Sequence, residues 1–240
     1  MKYNSLIIIP TYNEAENIET VIKKVMDLED KNDILVIDDN SPDGTSKIVE
    51  NQKNIYNNKV FLIKRDKKSG LGSAYKAGFK WALKNNYSYI FEMDADMSHD
   101  PNEIKNLKIQ LSQNKYDVVV GSRYINGVSV VNWPLFRIFL SYFANLYVRI
   151  ITGMPIKDAT SGFVGYTKNA LNSIELSEIK FNGYAFQIEM KFKLWKKKFK
   201  LKEHQIIFVN RKLGKSKMNQ SIIFEAIFGV IKLKINSFFK

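Results

Sequence analysis

Short runs rich in Ile and Val, each closed by a turn or an acidic group, punctuate the first half of the chain at residues 6–9, 34–37, 60–63, 89–93 and 118–120. Between the first two, Ile18, Val21, Ile22, Val25 and Met26 recur at three- and four-residue spacing, which predicts a helix with one apolar stripe. Asn13 is placed to cap that helix, with Glu16 three residues on reaching back. Helix-compatible sequence fills the later gaps at 45–51, 72–85 and 101–113. Strands apolar on both faces and joined by helices predict an α/β fold, with a mostly parallel central sheet and helices on both faces. Ligands of such sheets bind beyond the carboxyl ends of the strands, so chemistry is expected in the residues just after each run.

The second half is less regular. Residues 133–151 are strongly apolar and aromatic, interrupted by Arg137, Asn145 and Arg149. Residues 183–198 read as a basic amphipathic helix, and 201–209 as a strand. Residues 221–240 read as an apolar helix carrying Lys232, Lys234 and Lys240. The pattern marks no clean domain boundary; one near residue 215 would separate a main domain at 1–215 from an amphipathic C-terminal helix at 216–240 suited to membrane or partner contact.

Composition narrows the chemistry. The 240 residues include no cysteine and two histidines, which excludes disulfides and thiolate sites and disfavours a zinc centre. Any metal should be a hard cation held by carboxylates and phosphates. The net charge of +13 calls for an anionic partner: nucleic acid, a phosphorylated substrate or an anionic membrane. The excess is uneven, with eleven Lys or Arg against the single acid Glu203 between positions 191 and 217. The opening ten residues carry one lysine and an apolar run of four, too short for a signal peptide, so a cytoplasmic location is expected. No uninterrupted apolar stretch reaches the ~18 residues of a membrane span.

Acidic groups gather where the strands end. Pro10-Thr11-Tyr12-Asn13-Glu14 succeeds the first run, Asp38-Asp39-Asn40-Ser41-Pro42-Asp43-Gly44-Thr45 the second, and Asp94-Ala95-Asp96 the fourth. Adjacent carboxylates repel and raise one another's pKa, so a fold keeps them together only with a cation or hydrogen-bond donors. Two aspartates one residue apart can share a divalent ion, and an ion bridging to a diphosphate stabilises a leaving group. Lys67-Lys68-Ser69-Gly70-Leu71-Gly72-Ser73 is a basic, glycine-containing loop before a helix; it serves equally as an anion cradle or as a tight turn with a cap. Arg123 falls at the ligand edge after the fifth run, and residues 211–217 form a basic loop from which Arg211 and Lys217 stand out. His204 reads as a packing residue, whereas His99 comes just after the aspartate pair and is a candidate ligand.

These segments together resemble the family-2 glycosyltransferases and, within them, the dolichyl-phosphate (polyprenyl-phosphate) mannosyltransferases. The likeness is completed by Gly121-Ser122-Arg123-Tyr124, Ser161-Gly162-Phe163, Gly183-Tyr184-Ala185-Phe186-Gln187-Ile188-Glu189-Met190 and Gly214-Lys215-Ser216-Lys217, all in family order. The resemblance implies a nucleotide-diphospho-sugar transferase (GT-A like) fold that moves mannose from GDP-mannose to a polyprenyl or dolichyl phosphate, with Mg²⁺ or Mn²⁺ as cofactor. It implies that Pro10, Tyr12, Glu14, Ile37 and Asp39 hold the guanosine. Asp94, Ala95 and Asp96 match the donor and metal segment, with Asp96 the principal ligand. Arg123, Arg211 and Lys217 match phosphate-binding cations, and Arg137 and Ser141 face the acceptor phosphate. Where many members have Asp-Ala-Asp-Leu-Gln-His, this chain has Met97-Ser98-His99, so the glutamine carbonyl that can ligate the metal is replaced by the shorter Ser98 hydroxyl.

A phosphate acceptor already carries about −1.5 to −2 charge near neutral pH, so an inverting displacement on it requires no obligatory general base. The lipid tail implies peripheral attachment to the cytoplasmic face of a membrane, directly or through a small membrane-anchoring subunit. The alternatives are a family-2 transferase using a UDP-sugar and another lipid or saccharide acceptor, and more remotely an aspartate phosphotransfer protein or a non-enzymatic basic binding protein. Nucleic acid is not expected as a partner, because no RNA- or DNA-binding motif is present.

Overall fold

The structure, a computed structural model, describes residues 4–211 and 220–238, with side chains for all of these except Tyr184 and residues 220–227. The predicted runs become strands β1 (Ser5–Thr11), β2 (Asn32–Asp38), β3 (Val60–Lys64), β4 (Tyr89–Glu92) and β5 (Val118–Ser122). The helices between them are α1 (Ile18–Met26), α2 (Thr45–Ile55), α3 (Leu71–Lys84) and α4 (Glu103–Ser112). A two-residue β6 (Val130–Val131) precedes α5 (Leu135–Thr152); β7 (Val164–Thr167) then leads into α6 (Lys168–Asn172). The chain closes with α7 (Tyr184–Lys196), β8 (Leu201–Gln205), β9 (Phe208–Val209) and α8 (Gln220–Asn236).

Seven strands form one sheet in the order β3-β2-β1-β4-β7-β5-β8, and β6 pairs with β9 in a small second sheet. All pairings in the main sheet are parallel except those of β7, which runs antiparallel to both β4 and β5. Alternation along β1 explains the layering. Leu6 and Ile8 point into the cluster under α3 and α7, with Leu35, Phe79 and Met190. Ile7 and Ile9 point the opposite way, with Val21, Ile22 and Leu107 of α1 and α4. Each such fully buried side chain contributes about 1.5–3 kcal/mol, so both faces of the strand stabilise the fold. Gly78 lets α3 approach: a Cβ there would stand 2.7 Å from Ile8 Cγ2.

Three local expectations are corrected. Asn13 does not cap α1. Its φ of +56° turns the chain, the Glu14 carbonyl receives the Asn17 and Ile18 amides, and Asn17 stands at the N-cap without a side-chain bond to the helix amides. The cause is the loop before α2, whose Ser41 and Thr45 hydroxyls take the Asn13 and Glu14 amides. Helix α7 is not a surface amphipath: residues 185–192 are all buried. Phe186 stacks on Tyr75 of α3, while Ile188 and Phe192 join Val148 of α5 and Val230 of α8 in a third cluster. The 201–209 segment is two strands, broken at residues 206–207.

Helix α5 is 18 residues long with a mean hydropathy of 1.3, long and apolar enough to cross a membrane, and only 17% of it is buried. Asn145, Val148 and Thr152 are its buried residues. Leu135, Phe136, Phe139, Phe143 and Ile150 are exposed.

Candidate active site

The carboxyl ends of β1 and β2 supply an acidic rim in which the two aspartates have separate tasks. Asp38 is fully buried and saturated. It accepts bonds from Thr11 Oγ1 at 2.8 Å, Ser41 Oγ and Ser46 Oγ at 2.6 Å each, and the Ser41 amide at 3.1 Å. It organises the loop. Asp39 is held by Arg65, whose Nε and Nη2 lie 2.6 and 2.5 Å from Oδ1, and by the Ser69 amide at 3.2 Å. Arg65 also donates to Ser73 Oγ at 2.7 Å, tying the basic loop to the sheet. Lys68 Nζ sits 4.3 Å above the Tyr12 ring, closing the rim. Of the other nucleotide candidates, Pro10 is half-buried, Glu14 is buried and accepts a bond from Asn17 Nδ2, and Ile37 is fully buried in the core beneath α3.

The glycine loop reads as a packing device. A Cβ on Gly72 would lie 2.7 Å from Phe186 Cδ2 and 2.8 Å from the Phe181 carbonyl, and the Gly72 amide donates to Asn182 O at 2.8 Å. That amide is therefore spent on the protein rather than on an anion.

At the end of β4, Asp94 keeps a side-chain exposure of 35% yet is hemmed in by protein, and burial together with the neighbouring Asp96 pushes its pKa up to about 7. Asp96 is buried, with Oδ2 2.7 Å from Arg211 Nη2 and Oδ1 receiving the Ser98 amide at 3.0 Å. Ala95 between them is buried. The Ser98 hydroxyl is buried with no hydrogen-bond partner. His99 does not face a metal position through Nδ1, because that nitrogen accepts the Asp94 amide at 3.3 Å. Its ring stacks on Phe163 at 4.9 Å, and burial drops its pKa to about 4, so it is neutral and carries its proton on Nε2. His204 pairs with Glu103 at 2.8 Å and Gln110 at 3.0 Å, a packing role as expected.

Beyond β5, Arg123 is buried and grips Asp158, with Nε to Oδ2 at 2.7 Å and Nη2 to Oδ1 at 2.6 Å. Its Nη2 also reaches Thr160 Oγ1 at 2.8 Å. Burial alone would raise the Asp158 carboxyl, but the Arg123 charge and its hydrogen bonds outweigh that and hold it below the usual range. The guanidinium is flanked by the rings of Tyr124, Trp133 and Phe208 at 5.4–5.6 Å. Arg137 stacks 3.9 Å over the Trp133 ring and donates to Asn210 Oδ1 at 2.9 Å. Ser141 Oγ accepts the Tyr124 hydroxyl proton at 2.7 Å. Arg123, Arg137 and Ser141 thus share one aromatic shelf.

The two halves meet. Asp94 feels Asp96, Arg211, Glu14 and Arg123 as charged neighbours, so the ends of β1, β4 and β5 open on one site. Lys217, with Lys212 and Lys215, lies outside the described residues. The pattern alone did not single out Arg65 or Asp158. Arg65 directly succeeds β3 and was findable by the same strand-end rule that located Arg123, whereas Asp158 sits in irregular chain with nothing local to mark it.

A mostly parallel sheet with one reversed strand thus gathers acids at the ends of β1, β2 and β4, with arginines opposite them, the arrangement of a group-transfer enzyme. Residues 6–174 match the model of glycosyl transferase family 2, and the chain belongs to that family. It is a glycosyltransferase. Over 226 residues it is 42% identical to polyprenol monophosphomannose synthase of Mycolicibacterium smegmatis, covering 94% of this chain and 85% of that protein. Over 227 residues it is 39% identical to undecaprenyl-phosphate mannosyltransferase of Micrococcus luteus, covering 95% and 92%. Among solved structures, glucosyl-3-phosphoglycerate synthase of Mycobacterium tuberculosis, in complex with Mn²⁺, uridine diphosphate and glucosyl-3-phosphoglycerate, superposes with a TM-score of 0.68. The match covers 98% of this chain and 80% of that one at 14% identity, a likeness of fold.

Proposed function

We propose that this chain transfers mannose from GDP-mannose to a polyprenyl (dolichyl) phosphate, giving the lipid-linked mannose phosphate. The carrying observation is the meeting of Asp94 and Asp96 with Arg123 and Arg211 in one electrostatic field, beside a shelf that presents Arg137 and Ser141. The names of the mycobacterial and Micrococcus relatives support the choice of mannose and polyprenyl phosphate.

The residues fit a divalent cation. Asp94, Asp96 and the partnerless Ser98 hydroxyl are oxygen donors only, the set a hard ion takes. Among the described residues no group of three or more acidic or imidazole side chains converges, so diphosphate oxygens are needed to complete the shell. Bound there, Mg²⁺ or Mn²⁺ would neutralise charge on the departing nucleoside diphosphate. The Arg211 guanidinium, paired with Asp96, is the cation placed to pass to the diphosphate as the ion arrives. Tyr12, Asp39, Lys68 and Arg65 offer a ring, a carboxylate and two cations for the nucleoside. Arg137 and Ser141 aim the acceptor phosphate, while Arg123, fixed by Asp158, screens its charge against the acids. No general base is required, since the attacking oxygen is already anionic.

The acceptor's tail calls for a membrane, and the exposed Leu135, Phe136, Phe139 and Phe143 of α5 with Phe228, Ile231 and Ile235 of α8 and Phe238 just beyond it offer an apolar surface for peripheral attachment at its cytoplasmic face. The deciding experiment is incubation with radiolabelled GDP-mannose, Mg²⁺ and a polyprenyl phosphate, followed by solvent extraction. Label moving into the organic phase, and failing to do so from a UDP-sugar, is the expected result. Transfer from the UDP-sugar alone would overturn the donor assignment.

A further inference from the structure

Lys191 lies in the middle of α7 with no solvent exposure at all. Its ammonium donates toward the carbonyls of Ala159 at 3.1 Å and Ser161 at 2.8 Å, and toward the Gln187 carbonyl and side-chain oxygen at 3.3 and 3.1 Å. Facing it is Glu92 of β4, fully buried beside Gln187 and Tyr166, with a carboxyl pKa that burial pushes up to about 8; Asp158 and Glu203 are the other acids that favour the ammonium. Burying an ammonium costs several kcal/mol even when it is well partnered, and an apolar side chain of similar length would fill the same space without that cost. Packing alone therefore does not account for a lysine here.

What it grips is the short irregular segment 158–162, four of whose residues reach the site or the elements that carry it. Asp158 orients Arg123 through its side chain and also takes the Arg123 amide at 2.9 Å. Thr160 exchanges bonds with Asn145 of α5, the helix that carries Arg137 and Ser141. The Ser161 hydroxyl donates to Gly121 O at 2.6 Å. Gly162 faces Asp94, whose carboxylate oxygens would lie 3.7 and 4.0 Å from a Cβ built there. The two carbonyls held by Lys191 flank Thr160, so its ammonium fixes the segment at its centre.

We propose that Lys191 is a positioning residue of the transferase: it pins residues 158–162 from beneath, and through Asp158 it sets the direction of Arg123 without touching a ligand. The inference rests on the transferase reading above. Misplacing a reacting or screening group by about 1 Å can cost about a hundredfold, which sets the scale of the effect.

The test compares Lys191→Met and the charge-neutral pair Lys191→Met with Glu92→Gln, each assayed with GDP-mannose, polyprenyl phosphate and Mg²⁺ alongside thermal unfolding. At least one variant is expected to stay folded, with kcat lowered 10- to 100-fold and the donor KM changed less than threefold. In an Arg123→Gln background the same change should add little, because both act through one guanidinium. Hydrogen exchange should rise in residues 158–162 and stay unchanged in β1. Folded variants with normal kcat, effects that multiply with Arg123→Gln, or loss of folding in both variants would each overturn the positioning role. If the wild-type protein transfers nothing between these substrates, the substrate reading fails instead, and the exchange measurement still decides whether Lys191 pins the segment.

Discussion

At the residue scale, function divides between side chains that are saturated and side chains left able to change partners. Asp38, with four hydrogen bonds, belongs to the first kind, and Asp96, facing Arg211, to the second. Asp96→Ala should lower kcat about a thousandfold or more, the scale of a lost metal contribution, with unfolding temperature little changed. Steady-state kinetics on the purified variant checks it; near-normal turnover would remove Asp96 from the mechanism. His99 makes a different prediction, one of stability. Its native pKa of about 4 lies below the ordinary value of 6.5, so between those values the unfolded chain binds a proton that the native one does not. Stability is therefore present above pH 6.5 and falls as the pH drops toward 4, by at most about 1.4 kcal/mol per pH unit from this group. Denaturant unfolding of the wild type and His99→Gln across that window should show the slope reduced in the variant. The strand-end rule made Asp94, Asp96 and Arg123 legible as site residues. It could not reveal that His99 is spent on a backbone amide, because a hydrogen bond to a main chain leaves no mark in side-chain pattern.

At the scale of elements, the apolar runs that became β1 to β5 were readable because each is buried on both faces. β7 was not, since Gly165 and Thr167 interrupt its four residues and leave no apolar run to mark it. α7 was misread for a physical reason: lysines at its end suggested a solvated face, while Lys191 and Glu189 are satisfied inside. The packing of α3 on β1 yields a signed prediction. Gly78→Ala improves intrinsic helix propensity by about 1 kcal/mol. The added methyl would meet Ile8 at 2.7 Å, and overpacking of that kind costs about 1–3 kcal/mol. Net destabilisation is expected in chemical denaturation, and a stabilised variant would mean that α3 can retreat from the sheet. On α5, serine in place of Phe136, Phe139 and Phe143 removes exposed apolar area without touching the core. The triple variant should float with anionic liposomes much less than the wild type while keeping its unfolding temperature; equal flotation would move membrane contact elsewhere.

At the scale of the whole molecule, the +13 charge reports an anionic partner without choosing one, and the choice came from where acids and arginines meet. Binding to anionic vesicles should weaken steeply between 50 and 500 mM salt, a range chosen so that the Debye length falls from above ~10 Å to a few ångströms. Neutral vesicles, bound through the apolar surface alone, should show little of that dependence, as sedimentation of both at each salt would reveal.

The order of the strands has a consequence for biosynthesis. β5 does not pair with β4; within the sheet it is hydrogen-bonded only to β7 and β8. A growing polypeptide that has emerged from the ribosome as far as residue 122 can assemble the first four strands, yet must hold its fifth unpaired until some forty-five more residues appear. The Arg123 side of the site is therefore completed last, and Val118-Val119-Val120 stays an unpaired apolar edge of the nascent protein, one a chaperone would shield, until β7 arrives.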